Sequence, residues 1–402
     1  MAGPITLEPA QIFDGSFFEF ETGIASVDVE AAGADVAAVR LGSDRSGDYV
    51  VFEIKSDVTF TLDQGPLGTP IVLSTDERSA IAIAPFTEDQ DGTLLPSGND
   101  FVTNLATTDA GAPDASGDFI VYAANSNIPL GEPGGDADEV WLRNLRTGEE
   151  ILVREATAGE VSDVRIAGEW IVWNEGDVTL ALNVSSIGTG TPPTTVRGPV
   201  PATSDPEIDS RFIVWEERLD EFGFDSETRA QEIGGSSFFV TEGDLDDGFD
   251  EVDPATWGNL IAFGLIDQST GLGDIVLADI LAGTTETFDL SLEGLSNLAL
   301  TGEFLTFNAL DGGGIFQAFL LRIADGVLVQ LTDGPEGSGV ADVFDDLVAY
   351  TSGRQLFVAR IGDGVAEVPL PPAIAIFGLG LAGLAGLRRR RRIAAPSENT
   401  GE

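Results

Sequence analysis

EWIVW (residues 169–173) is apolar at its centre and closed by an aromatic, and variants of it recur along the chain. DFIVY (118–122), RFIVW (211–215), NLIAF (259–263), EFLTF (303–307) and DLVAY (346–350) have the same shape. Their last residues, Tyr122, Trp173, Trp215, Phe263, Phe307 and Tyr350, lie 51, 42, 48, 44 and 43 positions apart. A spacing that returns to the forties is an internal repeat.

Working outward, several of these runs follow a turn rich in Gly, Asp or Ser: ASGD (115–118), IAGE (166–169), WGN (257–259), LTGE (300–303). Second β-rich runs come after them, such as EVWLRNL (139–145), DIVLADI (274–280), AFLLRI (318–323) and QLFVARI (355–361). Turn signals at Gly148, Gly283, Gly326 and Gly364 follow, and then, in most repeats, a further short β-rich piece. One repeat therefore holds about four strands, and no stretch of the body has helical periodicity. The expected fold is all-β, a β-propeller of six four-stranded blades, in which no blade buries both faces until its neighbours stack on it. At the end of an apolar strand the repeated aromatics are expected to pack between blades.

The sixth repeat stops early, with only VAEV after Gly364. A closed ring needs the missing outer strand from elsewhere, and VDVEAA (27–32), DYVVFEI (48–54) and VTFTLDQ (58–64) are candidates to supply it. Residues 1–110 can equally form a small β domain or a divergent seventh blade. The repeats occupy 111–366.

The chain has 402 residues, 68 acidic and 20 basic, for a net charge of −48. The first 367 residues hold 66 acidic and 15 basic side chains, a charge of −51, and the single lysine is Lys55. Such a body repels nucleic acid and anionic lipid, and its spread of charge suits a solvated surface. There is no cysteine and no histidine. That excludes disulfides, thiolate nucleophiles, histidine metal sites and every triad that needs an imidazole. Chemistry is left to carboxylates, hydroxyls, Tyr, Arg and Lys55.

Within GDLDDGFDEVD (243–253), Asp244, Asp246, Asp250 and Asp253 could offer oxygens to calcium around a turn at Gly248, one residue short of the usual loop spacing. No other cofactor is expected. For glycosidic or lyase chemistry on paired carboxylates, the acids near inner strands are Glu175, Glu216, Glu217 and Asp267. Acids are too abundant here for their presence to select that reading.

GDFIVYAANSN with DEVWLRNLRTGEEILV, and more loosely GNLIAFGLID with DIVLADILAGTTETF, resemble the TolB-like β-propellers over residues 111–366. The S-P-D-G usual in their first strand is mostly missing. The resemblance implies an export-side propeller that binds or scaffolds, and it transfers no catalytic residue.

The chain closes with VPLPPAIAIFGLGLAGLAGLRRRRR (368–392) and a ten-residue tail, 393–402. Ala373 to Leu387 is uncharged over 15 residues. As a helix it reaches about 22 Å, short of the roughly 30 Å hydrocarbon layer unless residues 368–372 enter and the arginines snorkel. Gly378, Ala382 and Gly386 fall four apart and leave a smooth face for another helix. Arg388, Arg389, Arg390, Arg391 and Arg392 place the C-terminus in the cytoplasm and the acidic body outside.

This order of parts resembles the PEP-CTERM sorting signal in its VPLPA variant, carried by Val368, Pro369, Leu370, Pro371 and Pro372, then span, then arginines. Pro372 stands where the variant has Ala, and the tail beyond Arg392 is longer than usual. The resemblance implies processing by a membrane exosortase in bacteria that make extracellular polysaccharide. It also implies a hydrophobic segment (367–392) that anchors the protein in the inner membrane for a time or permanently. Export requires a signal peptide, which MAGPITLEPAQIF does not provide, so an upstream start is expected. The resulting expectation is an exported surface or matrix protein, not an enzyme, that binds polysaccharide or surface proteins and no nucleic acid. The alternative is a carbohydrate-active enzyme.

Overall fold

Most repeats open with a two-residue hairpin. Ala167 pairs with Trp170 across Gly168 and Glu169, and Trp257 pairs with Leu260 across Gly258 and Asn259. Gly168 and Gly258 have φ of 57° and 61°, the positive value that primed hairpin turns require at their first position. The aromatic run then forms a central strand, hydrogen-bonded on both sides. In the computed structural model this gives four-stranded antiparallel sheets in simple sequence order. One holds Thr108–Ser116, Phe119–Ser126, Glu139–Asn144 and Glu150–Glu155, and the next Val161–Ala167, Trp170–Glu175, Val178–Asn183 and Thr194–Arg197. A third holds Glu207–Ile208, Phe212–Arg218, Ser226–Glu232 and Ser237–Phe239. The structure describes residues 6–7, 10–14, 19–24, 27–32, 35–44, 47–62, 71–88, 94–96, 100–103, 108–126, 136–157, 159–198, 206–218, 226–241 and 248–362.

The following two units share a strand. Thr284–Leu300, 17 residues long, pairs by its first half with Leu272–Asp279 and by its second with Phe304–Leu310. The last unit, Ala341–Phe344, Leu347–Ser352 and Gln355–Gly362, is completed by Thr6–Leu7 and Ala10–Asp14 from the start of the chain. The edge expected to need an outer strand is covered, but by AQIFD rather than by the three stretches proposed for it. Those lie in a separate sheet built on Asp35–Asp44, Gly47–Leu62 and Ile71–Glu88. Val27–Ala32 and Asp35–Asp44 both pair with Gly47–Leu62 there, so the three stretches are already committed to one another, and Ala10–Asp14 pairs instead with Gln355–Val358.

The opening strands of the units contact one another in cyclic order. Asp35–Asp44 touches Thr108–Ser116, then follow Val161–Ala167, Glu207–Ile208, Phe249–Trp257, Thr284–Leu300 and Ala341–Phe344, which returns to Asp35–Asp44. Buried apolar clusters sit between neighbouring units all the way round. Val121, Leu142, Ile166 and Trp173 join two of them, and Phe212, Val214, Ile261 and Phe263 join another pair. At the seam, Val39, Phe52 and Ala84 pack with Leu347, Leu356 and Val358. All six repeat aromatics are buried, Trp173 and Trp215 almost completely. Each sheet therefore depends on its neighbours for half of its core, as expected for a stack of units that cannot fold alone.

Among the described residues no helix is long and apolar enough to cross a membrane, and the one helical turn is Val184–Ser186. The expected span, 373–387, and the whole of 363–402 lie outside the described residues.

Candidate functional site

Eight residues before each repeat aromatic stand Asp114, Arg165, Glu207, Ala255, Ala299 and Asp342, one on the inner strand of each unit. The structure brings the charged ones together with Arg40 of the N-terminal sheet. A single oxygen of Glu207 accepts from Arg165 Nε at 2.8 Å and from an Arg40 terminal nitrogen at 3.1 Å. Arg40 Nε lies 3.7 Å from Asp114. Units far apart in sequence are thus tied across the axis by one carboxylate, while Ala255 and Ala299 leave the facing side small.

The other acids of this layer bind backbone. Asp114 Oδ2 accepts from the Ile166 N–H at 2.7 Å, and Asp342 Oδ2 from the Leu41 N–H at 2.7 Å. Asp209, two residues after Glu207, takes the Gly258 N–H. Each carboxylate so clasps the inner strand of the next unit, and the Asp342 clasp closes the seam. Burial pushes the Asp114 carboxyl up to about 6, against the pull of Arg40 and Arg165. Burial raises Asp342 as well, opposed by Arg40.

A second feature recurs ten residues before the aromatics. Ala112, Asp163, Asp253 and Asn297 have φ of 49°, 55°, 47° and 52°, each where pairing with the central strand slips. These are bulges in the inner strands, a device that re-aims the chain near a ring's axis. Sequence reasoning passed over both registers, because the residues there differ in kind from repeat to repeat. The fixed offset from the aromatics was the signal that could have found them.

The acids singled out from sequence have separate partners. Glu175 is buried, and although desolvation pushes its pKa up, Arg154 at 3.1 Å and the Thr157 N–H at 2.7 Å hold it below the usual value. Glu217 pairs with Arg229 at 3.2 Å and accepts from the Trp215 indole. Asp267 pins its own turn through Ser269. Glu216 is different: burial and then the nearby Asp253 charge push it up to about 7, while the Asp253 N–H donates to it. Asp253 accepts from the Asn297 N–H at 3.1 Å, and Asp250 from Gln268 Nε2 at 2.9 Å. Asp244 and Asp246 lie outside the described residues, and among those residues no group of three or more acids is placed to hold a metal ion.

No family model matches the sequence, and no curated protein matches it. Solved structures do. The β-propeller domain of the Trilobed protease from Pyrococcus furiosus is 14% identical, with 84% of this chain and 99% of that one covered and a TM-score of 0.50. Pyrococcus horikoshii acylaminoacyl peptidase is 13% identical at a TM-score of 0.52, over 82% of this chain, which spans about half (52%) of the peptidase. Oligogalacturonate lyase from Vibrio parahaemolyticus is 10% identical at 0.51, covering 90% and 98%. These likenesses show the fold, a β-propeller. They also correct the expectation that the chain is not an enzyme: a peptidase and a lyase are among the proteins that share this architecture. At such identities no catalytic residue carries over.

Proposed function

We propose that the protein is a seven-bladed β-propeller, exported and sorted to the cell surface or extracellular matrix, that engages extracellular polymer there. The seventh blade of this reading is the sheet built on Asp35–Asp44, seated between the last repeat and the first. The observation that carries the sorting half is the order VPLPP, uncharged span, five arginines at the end of a strongly acidic chain. Residues 367–392 are read as the signal recognised by an exosortase-type membrane enzyme. The five arginines hold the cytoplasmic end, and the −51 body is released or displayed outside. Its charge keeps it from anionic lipid and favours uncharged or cationic partners, polysaccharide or surface protein.

The test is localisation in the native host. Replacing Val368, Pro369, Leu370, Pro371 and Pro372 by alanines is expected to leave full-length protein in the inner membrane. Unchanged delivery to the surface would refute the sorting reading.

A second reading is favoured by Glu216. A carboxyl titrating near 7 beside Asp253 has the protonation a general acid needs at neutral pH. Glycan cleavage by the intact protein that falls by about a hundredfold in Glu216→Gln supports it, in line with the contribution of one general acid. Cleavage untouched by the change rules Glu216 out.

A further inference from the structure

An open groove of about 500 Å3 lies where Phe249–Trp257 begins, lined by Gly248, Phe249, Asp267, Gln268 and Ser269. Phe249 and Asp267 are register partners, so ring and carboxylate rise side by side from one sheet face, about 5 Å apart at their Cβ atoms. The rim is rigid. Asp267 Oδ1 accepts from the Ser269 N–H at 2.8 Å and its hydroxyl at 2.6 Å, and the Gln268 N–H donates to the Gly248 carbonyl at 3.0 Å. Gln268 Nε2 is held by Asp250 at 2.9 Å, which fixes the plane of its amide.

We propose that this groove is a subsite for an uncharged sugar unit of an extracellular glycan. The inference rests on the polymer-binding reading above and names the chemistry of its contact. A hexose presents an apolar C–H face and a rim of paired hydroxyls. Phe249 meets the first, and Asp267 with the Gln268 amide meets the second, the mix of aromatic surface and few fixed polar groups that small-ligand sites use. The side-chain hydroxyl and N–H of Ser269 hold the Asp267 carboxyl below its usual pKa, so it stays an acceptor at any physiological pH. The lining has no basic residue, and Asp267 and Asp250 stand on a body of charge −51. A uronic acid would meet only like charge. The groove therefore selects neutral sugars, and oligogalacturonate, named in one of the similar structures, is excluded on charge.

The test is titration of the full chain in a zwitterionic detergent with glucose oligosaccharides, and with oligogalacturonate as the acidic counterpart, read by calorimetry. Retention on the host's own extracellular polymer is measured beside it. The expected result is millimolar binding of the neutral sugar only, weakened about tenfold by Phe249→Ala, as for loss of one aromatic contact. Asp267→Asn, an exposed change that keeps the turn acceptor, guards against misfolding and is expected to weaken binding about threefold, a loss near the lower end for one polar contact. Tighter binding of oligogalacturonate, or neutral-sugar binding indifferent to both substitutions, overturns the proposal. Retention on polymer without any oligosaccharide signal overturns the groove and leaves the surface-binding reading standing. Loss of both overturns the two together.

Discussion

Glu207 accepts a hydrogen bond from Arg165 at 2.8 Å, and the same oxygen also accepts from Arg40, so one carboxylate pairs with two guanidinium groups that reach it from different units. Arg165 is almost buried, while Glu207 keeps about a quarter of its side chain exposed (8% and 25%). Removing the carboxylate leaves two cations facing each other in a confined space. Glu207→Ala is expected to cost about 2 kcal/mol, less than a fully buried pair because solvent reaches Glu207. Glu207→Ala with Arg165→Ala should cost less than the sum of the single changes, measured by urea unfolding.

Asp114 sets a pH dependence. Its folded pKa of about 6 is above the ordinary carboxyl value of 3.8, so the folded state holds a proton the unfolded chain gives up. The stability from this group is complete below about pH 4 and is lost as pH rises through about 6. Asp114→Asn keeps an acceptor for the Ile166 N–H and removes the titration. Unfolding free energies of protein and variant, compared across that window, should diverge on the alkaline side, with the variant gaining. Parallel curves would remove Asp114 as the cause.

Closure by the N-terminal segment makes the first residues structural. Deleting residues 1–14 strips Gln355–Gly362 of its outer partners Thr6–Leu7 and Ala10–Asp14 and bares a sheet edge. A lower melting temperature and concentration-dependent light scattering are expected. A melt identical to that of the full chain would show that the seam closes without these strands.

The repeat aromatics and an exposed one should behave differently. Trp215→Ala empties a site with 1% exposure and is expected to cost about 3 to 5 kcal/mol. Trp257, 37% exposed and edge-on to Phe344 at 6.5 Å, should cost about 1 kcal/mol when cut to Ala. Denaturant midpoints of the two variants decide this directly.

What the sequence made legible follows from which positions physics constrains to one residue type. Trp173, Trp215 and Phe263 must be large and apolar to fill the space between units, so they repeat visibly. Arg165 and Glu207 pair with each other, while Asp114 and Asp342 take backbone N–H groups of the next unit, and a site met by partnership admits acid, base or Ala in turn. No motif results. The seam was hidden for a related reason: Arg40 sits on a hairpin longer than those of the repeats, and Ala10–Asp14 meets its partner at Gln355–Val358, over three hundred residues away. Asp253 looked like a ligand in an acidic loop. In the fold it occupies a left-handed bulge and serves the Asn297 N–H.

The central claim, an acidic propeller delivered by a removable C-terminal signal, is tested most directly by mass spectrometry of the mature protein isolated from its native host. A C-terminus at or before the VPLPP motif, with Ala373–Leu387 and the five arginines gone, is the predicted result. An intact tail through Glu402 would contradict it and leave a permanent anchor in its place.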